Sequence, residues 1–442
     1  MQRVSGSEPQ VSTLVNGATV CTTTPSNAIT ASASGVWSMA PGLNGEIFFA
    51  LRNNNVVCKL RTDGTVIRVA GNGNSGASTD GALATNSPLG GPISIASDSS
   101  GNLYIAEYDA TFSIKKVDTS GYITTLLNAS HTKAFGAAGS AAINTTSYGP
   151  LALAVSADGE VYYSEYSNSQ VRKIDTSGNV VVVAGTGASG NTGNGGLATA
   201  ARVQSISDID FDSAGNIYLT SYSNNIRKID GNGIITAFAG TSGVNTHTGD
   251  NGPASSATLK MLWQIALDSQ DNIYIAERGG STIRKINSSG TISTIVGLDG
   301  ASGNVDGGAI TTARISGPFG IAVSSTGDLY IGDYGNSAIK KVPGVALAAA
   351  SPISIAFSGA NVFRNSYSIT VSGGTSGKIT YFANGKRISG CVKRAYMTTY
   401  TCVWKPSFRG LVSIKVEIKP VSGSTLVSDA VNVAIQNRST NR

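Results

Sequence analysis

One short phrase recurs six times along this chain of 442 residues. It reads Gly-Asn-Leu-Tyr-Ile-Ala-Glu-Tyr from Gly101 to Tyr108, and its aromatic residue returns at steps of 56, 58, 56, 56 and 56 residues. The aromatic positions are Phe48, Tyr104, Tyr162, Tyr218, Tyr274 and Tyr330. A fixed period of this length indicates a repeat architecture, in which each unit must stack on its neighbours to bury its faces. The period therefore limits the fold more than any other feature of the sequence.

Each repeat contains four short runs of apolar and β-branched residues, separated by turns rich in Gly, Asn and Asp. In one repeat the runs cover residues 151–155, 160–164, 171–174 and 180–184. Four strands of this length form one blade of a β-propeller. The composition, with 54 Gly and only 13% charged residues, also favours an all-β protein.

The sixth repeat lacks a fourth run, because Pro343-Gly344 follows its third. Residues 11–15, Val-Ser-Thr-Leu-Val, match the fourth-strand text Ile-Ser-Thr-Ile-Val at 292–296. We therefore predict that an N-terminal strand closes the last blade, which removes the open edges of the ring. The predicted fold is an all-β, six-bladed β-propeller over residues 1–345.

The Gly-Asn-Ile-Tyr phrase at Gly215 to Tyr218 and the Ile-Arg-Lys-Ile phrase of the third runs resemble those of NHL-repeat β-propellers. The resemblance covers about residues 10–345. The resemblance implies the propeller fold. It gives almost no information about activity, because that family includes adaptor, receptor, adhesion and enzyme modules.

A lysine occupies the same place in all six third runs, and an acidic residue near the end of the second run recurs in four. The lysines are Lys59, Lys116, Lys173, Lys228, Lys285 and Lys341, and the acids are Glu107, Glu165, Glu277 and Asp333. This pattern predicts an inter-strand ion pair repeated from blade to blade, which is a structural role. Blades 1 and 4 depart from it, because Leu51-Arg52 and Ser221 replace the acid there.

Residues 346–350 are predicted to be a linker, and residues 351–442 to be a small Ig-like β-sandwich. Several alternating runs and the Asn384-Gly385 hairpin signal support this interpretation. Cys402-Val-Trp-Lys-Pro resembles Ig-like modules of bacterial surface proteins. Residues 351–442 carry a net charge of +10 and residues 1–350 one of −4, so the sequence predicts an anionic partner for the C-terminal module. A merely solubilising surface is the alternative.

Four cysteines permit two disulfides in three pairings. The short spacing of Cys391 and Cys402 favours that pair, which leaves Cys21 with Cys58. Disulfides imply an extracellular or virion setting. Residues 1–7 are polar and unlike a secretory leader, and no apolar run is long enough to span a bilayer. Either a leader is missing or the protein reaches the outside without one, as phage structural proteins do.

No catalytic, cofactor-binding or metal-binding residue is predicted. Two stretches, 71–76 and 185–190, match Gly-x-Gly-x-x-Gly, but neither opens a helix as nucleotide binding requires. The two histidines, His131 and His247, are too few for a multi-histidine metal site. Inner strands such as 151–155 and 321–323 are mostly apolar, which weighs against catalysis in the channel. Paired carboxylates or a metal there would instead favour an enzyme.

The long connections between blades and the ends of the second strands emerge on one face, which we call the long-loop face. The long loops are 71–91, 128–149, 185–202, 240–262 and 297–317. The ring of residues at the strand ends is Arg52, Tyr108, Tyr166, Tyr222, Arg278 and Tyr334. Tyr and Arg are frequent binding anchors, although these side chains could instead only cover the blade edges.

The sequence therefore predicts a non-enzymatic binding or structural protein on an outer surface. A virion component, such as a phage tail or receptor-binding protein, is the leading setting, and a secreted bacterial cell-surface adhesion protein is the first alternative. The partner would be a protein or glycan on a cell surface, or a neighbouring virion subunit, and oligomer formation is left open. A propeller hydrolase or lyase acting on polysaccharide or a lactone is the alternative from another class.

Overall fold

The computed structural model describes residues 10–17, 20–134, 136–307 and 312–344, together with the strands of the C-terminal region. The chain divides into two compact units, one of residues 8–348 and one that contains residues 349–442. The first unit consists of six antiparallel sheets, each with four main strands. The predicted all-β, six-bladed propeller is confirmed.

The strands run from the channel outwards in each blade, and we number the blades 1 to 6 by their first strands. The strands of blade 1 are Val36–Pro41, Ile47–Leu51, Val56–Leu60 and Thr65–Ala70. The strands of blade 2 are Pro92–Ser97, Leu103–Glu107, Ile114–Val117 and Ile123–Leu127. The strands of blade 3 are Pro150–Val155, Val161–Glu165, Gln170–Ile174 and Val180–Ala184. The strands of blade 4 are Ile206–Phe211, Ile217–Ser221, Asn225–Ile229 and Ile234–Ala239. The strands of blade 5 are Leu262–Leu267, Ile273–Glu277, Thr282–Ile286 and Thr291–Gly297. The strands of blade 6 are Ile321–Val323, Leu329–Asp333, Ala338–Val342 and Ser12–Val15. Short outer strands add Ser26–Asn27 to blade 1, Gly196–Leu197 to blade 4 and Gly252–Pro253 to blade 5.

Helical structure in the described residues is limited to single 3-10 turns in the connections. They are Ala28–Thr30, Leu43–Gly45, Arg52–Asn54, Ala84–Asn86, Ala142–Asn144, Tyr166–Asn168, Ala198–Ala200, Ala254–Ser256 and Tyr334–Asn336. No described helix is long and apolar enough to cross a membrane.

The N-terminal strand completes blade 6, as the sequence predicted. Ser12 pairs with Lys341 and Val15 with Ile339 in antiparallel register. The Thr13 N–H donates to Asp306 at 2.8 Å, and the buried Lys340 ammonium donates to the same carboxylate at 2.5 Å. Because the two ends of the array meet in one sheet, the ring has no open main edge at its closure.

The repeated lysine pairs with a different acid from the one predicted. Antiparallel register places the lysine opposite the repeat aromatic, as Lys173 is opposite Tyr162, near the start of the second strand rather than its end. The ammonium lies 5.2–5.8 Å from the centre of that ring in all six blades. In four blades it also pairs with an acid of the preceding turn: Lys59 with Glu46, Lys173 with Glu160, Lys228 with Asp212 and Lys341 with Asp328.

The acids at the ends of the second strands are buried and hold the long loops instead. Glu107 accepts from the Gly90 N–H at 2.7 Å and from the Thr111 and Ser113 hydroxyls at 2.5 and 2.6 Å. Asp333 accepts from the Ser316 N–H at 2.6 Å. The predicted ion pairs of Glu107, Glu165, Glu277 and Asp333 with the repeated lysines are therefore wrong, and the role of these acids is to order the long-loop face.

The residue before each repeated lysine is buried, and in blades 2 to 6 it is Lys115, Arg172, Arg227, Arg284 or Lys340. In blades 3 to 6 this side chain donates to the preceding long loop, whereas the Lys115 ammonium of blade 2 contacts Thr125 and the following loop at His131. The guanidinium of Arg284, for example, donates to the Asp250 carboxylate and to two loop carbonyl oxygens. Blade 1 has Cys58 at this position, and a disulfide joins it to Cys21. The disulfide confirms the predicted pairing and fastens the segment between the closing strand and blade 1.

The C-terminal unit contains two antiparallel sheets. One has Ser354–Ser358, Tyr367–Ser372 and Thr399–Trp404, and the other has Gly377–Ala383, Lys386–Ala395, Gly410–Pro420, Leu426–Val427 and Val431–Ile435. The strands on either side of the predicted Asn-Gly turn pair with each other, with Ala383 opposite Lys386. The proposed Cys391–Cys402 disulfide lies outside the side chains that the structure describes, and the Ig-like assignment stays a prediction.

Candidate functional site

The structure brings the six predicted ring residues together on the long-loop face. Each follows directly after the second strand of its blade, so the repeat places them around one end of the channel. Tyr166 and Tyr222 meet edge to face, with ring centres 6.0 Å apart. The Arg52 guanidinium lies 5.7 Å from the centre of the Tyr108 ring. These residues, which we call the outer ring, are mostly half-buried and lie above the channel mouth.

A second ring lies inside the first, and it was not predicted from the sequence. It consists of the residues near the start of the first strands: Trp37, Ile93, Leu151, Ser207, Trp263 and Phe319. The three aromatic members form a compact cluster, with centre-to-centre distances of 5.0 Å for Trp37–Trp263, 4.9 Å for Trp37–Phe319 and 4.3 Å for Trp263–Phe319. The same steps of 56 or 58 residues that relate the repeat aromatics also relate these positions, so the signal was present in the sequence.

The two rings are complementary in five of the six blades, whereas blade 6 has an aromatic residue in both. Blades 5, 6 and 1 have large inner residues, whereas blades 2, 3 and 4 have Ile93, Leu151 and Ser207. Where the inner residue is small, the outer residue is a tyrosine. Tyr108, Tyr166 and Tyr222 pack against the cluster that contains Ile93 and Leu151, and the centre of the Tyr222 ring lies 5.2 Å from that of Trp263. The rings together form a continuous layer across the channel mouth, which we call the aromatic platform.

The two arginines of the platform differ in what they bind. Arg52 stacks on Trp37, with its guanidinium carbon 4.5 Å from the ring centre, and makes a two-point contact with the Asp109 carboxylate at 2.6 and 3.0 Å. Arg278 stacks on Phe319 at 4.7 Å. None of the ion pairs between described residues includes Arg278. Its side chain is exposed and its charge faces solvent.

Burial raises the pKa of two platform tyrosines, Tyr108 and Tyr222, above its ordinary value. Desolvation is the main cause of the raised pKa of Tyr222, and the neighbouring Tyr166 adds to it while Arg278 opposes it. The pKa of Tyr108 is also raised, again mainly by burial. The phenol groups therefore act as neutral hydrogen-bonding groups, and the arginines supply the charge of this surface.

The channel below the platform holds two carboxylates that were not predicted from the sequence. Asp208 and Asp210 lie on the first strand of blade 4 and line a cavity of about 150 Å³. Desolvation raises the pKa of Asp210 to about 6 and that of Asp208 well above its usual range. The expectation of apolar inner strands rested on other blades and is wrong for this one.

Hydrogen bonds give these carboxylates a structural role. Asp208 accepts from the Ile265 N–H at 2.8 Å, and Asp210 accepts from the Leu267 N–H at 3.0 Å. Both donors belong to the first strand of blade 5, so the two acids join neighbouring blades. Across the described part of the chain, no group of three or more His, Cys, Asp or Glu residues is placed to hold a metal ion.

The two histidines and the Gly-x-Gly-x-x-Gly stretches lie in the long loops. His247 contacts the buried Glu277 carboxylate at 2.5 Å and the Thr294 hydroxyl at 3.0 Å, at the outer side of blade 5. The loop 240–262 is thereby fixed to its blade. His131 lies 3.4 Å from the Lys115 ammonium. Neither histidine contacts the aromatic platform in the hydrogen bonds of the described residues.

No protein-family model matches the chain, so the NHL resemblance stays a prediction. The fold is similar to that of a structural genomics protein of unknown function from Bacteroides thetaiotaomicron, with a TM-score of 0.56, 18% identity and coverage of 76% of this chain and 75% of that one. It is also similar to auxiliary nutrient binding proteins from Bacteroides thetaiotaomicron (TM-score 0.56, 16% identity) and Bacteroides ovatus (TM-score 0.53, 15% identity), with 76% of each chain covered. At these identities the likeness shows the propeller fold alone.

Proposed function

We propose that the protein binds a ligand on an outer surface through the aromatic platform of the long-loop face. The observation that supports this most strongly is the two concentric rings, which place half-buried Trp, Tyr and Arg side chains at one channel mouth. Such residues are the usual anchors of binding sites, and a rigid scaffold presents them without an ordering cost. Two of the proteins with a similar fold are auxiliary nutrient binding proteins, but the proposal depends on the platform.

The test is binding to an array of neutral and acidic glycans and to intact bacterial cells. We expect Tyr166→Ala and Tyr334→Ala to weaken the strongest signals at least tenfold with little change in melting temperature. Tyr122→Ala is the matched control, because Tyr122 is 47% exposed in a turn at the opposite end of its blade. If the Tyr166 and Tyr334 variants bind as well as wild type, the long-loop face is not the binding surface.

The cysteines support the proposed setting, and the charge supports the proposed docking. The Cys21–Cys58 disulfide supports an oxidising compartment outside the cytosol. Within that setting we retain the virion component as the proposal and the bacterial adhesion protein as its alternative, to be separated by whether capsid and tail genes or cell-wall genes lie beside this gene. Docking of the basic C-terminal module to an anionic partner predicts attachment that weakens steeply with salt.

The enzyme alternative has one observation in its favour, the pair of carboxylates at Asp208 and Asp210. Both already accept hydrogen bonds from blade 5. The binding function therefore accounts for more of the structure. The test has two parts: whether the wild-type protein turns over any polysaccharide or lactone, and whether Asp210→Asn retains the fold and ligand binding. The enzyme alternative is excluded if wild type shows no turnover and the variant still folds and binds.

A further inference from the structure

Arg278 is an exposed residue whose guanidinium lies over an aromatic ring of the platform. The residue follows the second strand of blade 5, and its backbone N–H donates to the Met261 carbonyl oxygen at 3.0 Å. Its guanidinium carbon is 4.7 Å from the centre of the buried Phe319 ring. Stacking on an aromatic ring uses the flat face of a guanidinium and leaves the N–H groups at its edge free to bind an anion.

Arg52 shows how such an edge is used within the same platform. Its flat face lies on Trp37, and its Nε and Nη2 groups donate to the two oxygens of the Asp109 carboxylate. Two parallel bonds of this kind match the geometry of a carboxylate or a sulfate. Arg278 has the same stacked arrangement on Phe319, without an acidic partner among the ion pairs of the described residues.

The surroundings of Arg278 suit a saccharide. Tyr222 is close enough for Arg278 to affect its ionisation, and its ring continues the platform towards Tyr166 and Trp263. The apolar C–H face of a sugar ring packs on aromatic rings, while its hydroxyls need polar partners. The long loops around the platform are rich in Ser, Thr, Asn and Gly, which supply such partners, whereas the cores of protein interfaces are depleted in serine.

We propose that the ligand is an acidic polysaccharide and that Arg278 is the residue that selects it, by binding the carboxylate of a uronic acid unit. This inference rests on the proposed binding function of the platform. The sugar bearing the carboxylate would lie beside Tyr222, and neighbouring units would extend across the tyrosines of blades 3 and 4. Arg52 would not select, because Asp109 already occupies its edge.

The experiment compares trigalacturonic acid with the neutral trigalactoside of the same linkage on the full chain. Binding is measured by calorimetry and by tryptophan fluorescence, since two of the three tryptophans, Trp37 and Trp263, lie in the platform. We expect the acidic sugar to bind at least tenfold more tightly. Arg278→Gln should remove that preference, because a charge-assisted two-point contact is lost. Other uronates and a sulfated oligosaccharide complete the panel.

The matched control is Arg202→Gln, which removes the same charge from an exposed arginine of the loop 185–202 and should leave the preference intact. Equal binding of acidic and neutral sugars by wild type, an acidic preference that persists in Arg278→Gln, or no binding to any acidic saccharide at millimolar concentration would each overturn the inference. If a neutral glycan or a protein binds and the Tyr166 and Tyr334 variants abolish it, the proposed function stands and only the selectivity of Arg278 is wrong.

Discussion

The side-chain oxygen of Gln264 accepts a hydrogen bond from the backbone N–H of Met39 at 3.1 Å, although the two residues belong to blades 5 and 1, which are not neighbours. The same oxygen accepts from the Ile321 N–H of blade 6, also at 3.1 Å. The contact across blade 6 is possible because that blade has Gly320 here, and an added Cβ would lie 2.6 Å from the Met39 side chain. One amide therefore joins three consecutive blades at the point where the ring closes.

Replacing Gln264 with Leu should destabilise the propeller by about 2–6 kcal/mol, because two buried N–H groups would lose their acceptor and each such loss costs about 1–3 kcal/mol. Urea denaturation followed by tryptophan fluorescence measures the change. Gln270→Leu is the control, since Gln270 lies in an exposed turn of the same blade. Equal stability of the two variants would show that the amide does not hold the seam.

The pH dependence of stability should reveal the buried acid Asp210. Its pKa in the folded protein is about 6, above the usual 3.8, because burial disfavours the charged form. The folded state thus binds more protons than the unfolded state between these values, so this group stabilises the fold below about pH 4 and the contribution is lost as the pH rises through 6. Asp210→Asn should flatten the stability curve over this interval.

Asp230→Asn provides a control of opposite sign. The pKa of Asp230 is lowered, chiefly by the Ile234 N–H, so its contribution is present above its ordinary pKa and disappears in acid. Thermal unfolding at half-unit steps from about pH 2 to about pH 7 covers both intervals and compares the two variants. A slope for Asp210→Asn identical to that of wild type would contradict the assignment.

In blade 1 the disulfide stands at the position of the buried cation that fastens the preceding long loop in blades 3 to 6. Replacing both Cys21 and Cys58 with Ser should lower the free energy of unfolding by about 3–4 kcal/mol. The disulfide spans a sequence separation of 37 residues, and without it the unfolded chain gains conformational entropy of that magnitude. Differential scanning calorimetry of the double variant and wild type measures this effect. Because no reductant is added, Cys391 and Cys402 are in the same state in both proteins, and only the Cys21–Cys58 bond differs. An unchanged melting temperature would show that the bond does not support the fold.

Much of this architecture could be predicted from the sequence, because the repeat period fixes the position of every strand within its repeat. The match between residues 11–15 and 292–296 predicted the closing strand, and the period predicted that the outer ring would gather on one face. The partner of the repeated lysine could not be predicted from the sequence, because it depends on the antiparallel register of the second and third strands. Lys173 is opposite Tyr162 and forms an ion pair with Glu160 rather than with Glu165.

The inner ring and the channel carboxylates were missed for a different reason. Trp37, Trp263 and Phe319 differ from Ile93 and Ser207 in chemistry, so the shared position is visible only by counting 56 residues from blade to blade. Their complementarity with the outer tyrosines is a packing relation between blades, and the sequence of a single repeat does not contain it. The same holds for Asp208, whose donor belongs to the next blade.

The closing strand should stabilise the whole ring, not only blade 6. Val15 is fully buried among residues of blades 1 and 6, and Val11 packs against residues of blades 5 and 6. Removing residues 1–17 would expose the edge of Ala338–Val342, leave Lys340 without its Thr13 contact and create an unpaired strand edge prone to association. We expect poor solubility and a loss of cooperative unfolding.

Hydrogen exchange distinguishes a local effect from a global one, and the strand Val161–Glu165 of blade 3, on the far side of the ring from blade 6, is the segment to follow. Its amides should exchange at least tenfold faster in the chain lacking residues 1–17, because closure links the stabilities of all the blades. A chain lacking only residues 1–9 retains the closing strand and should match wild type. Faster exchange confined to blade 6 would mean that the ring remains stable without its closing strand.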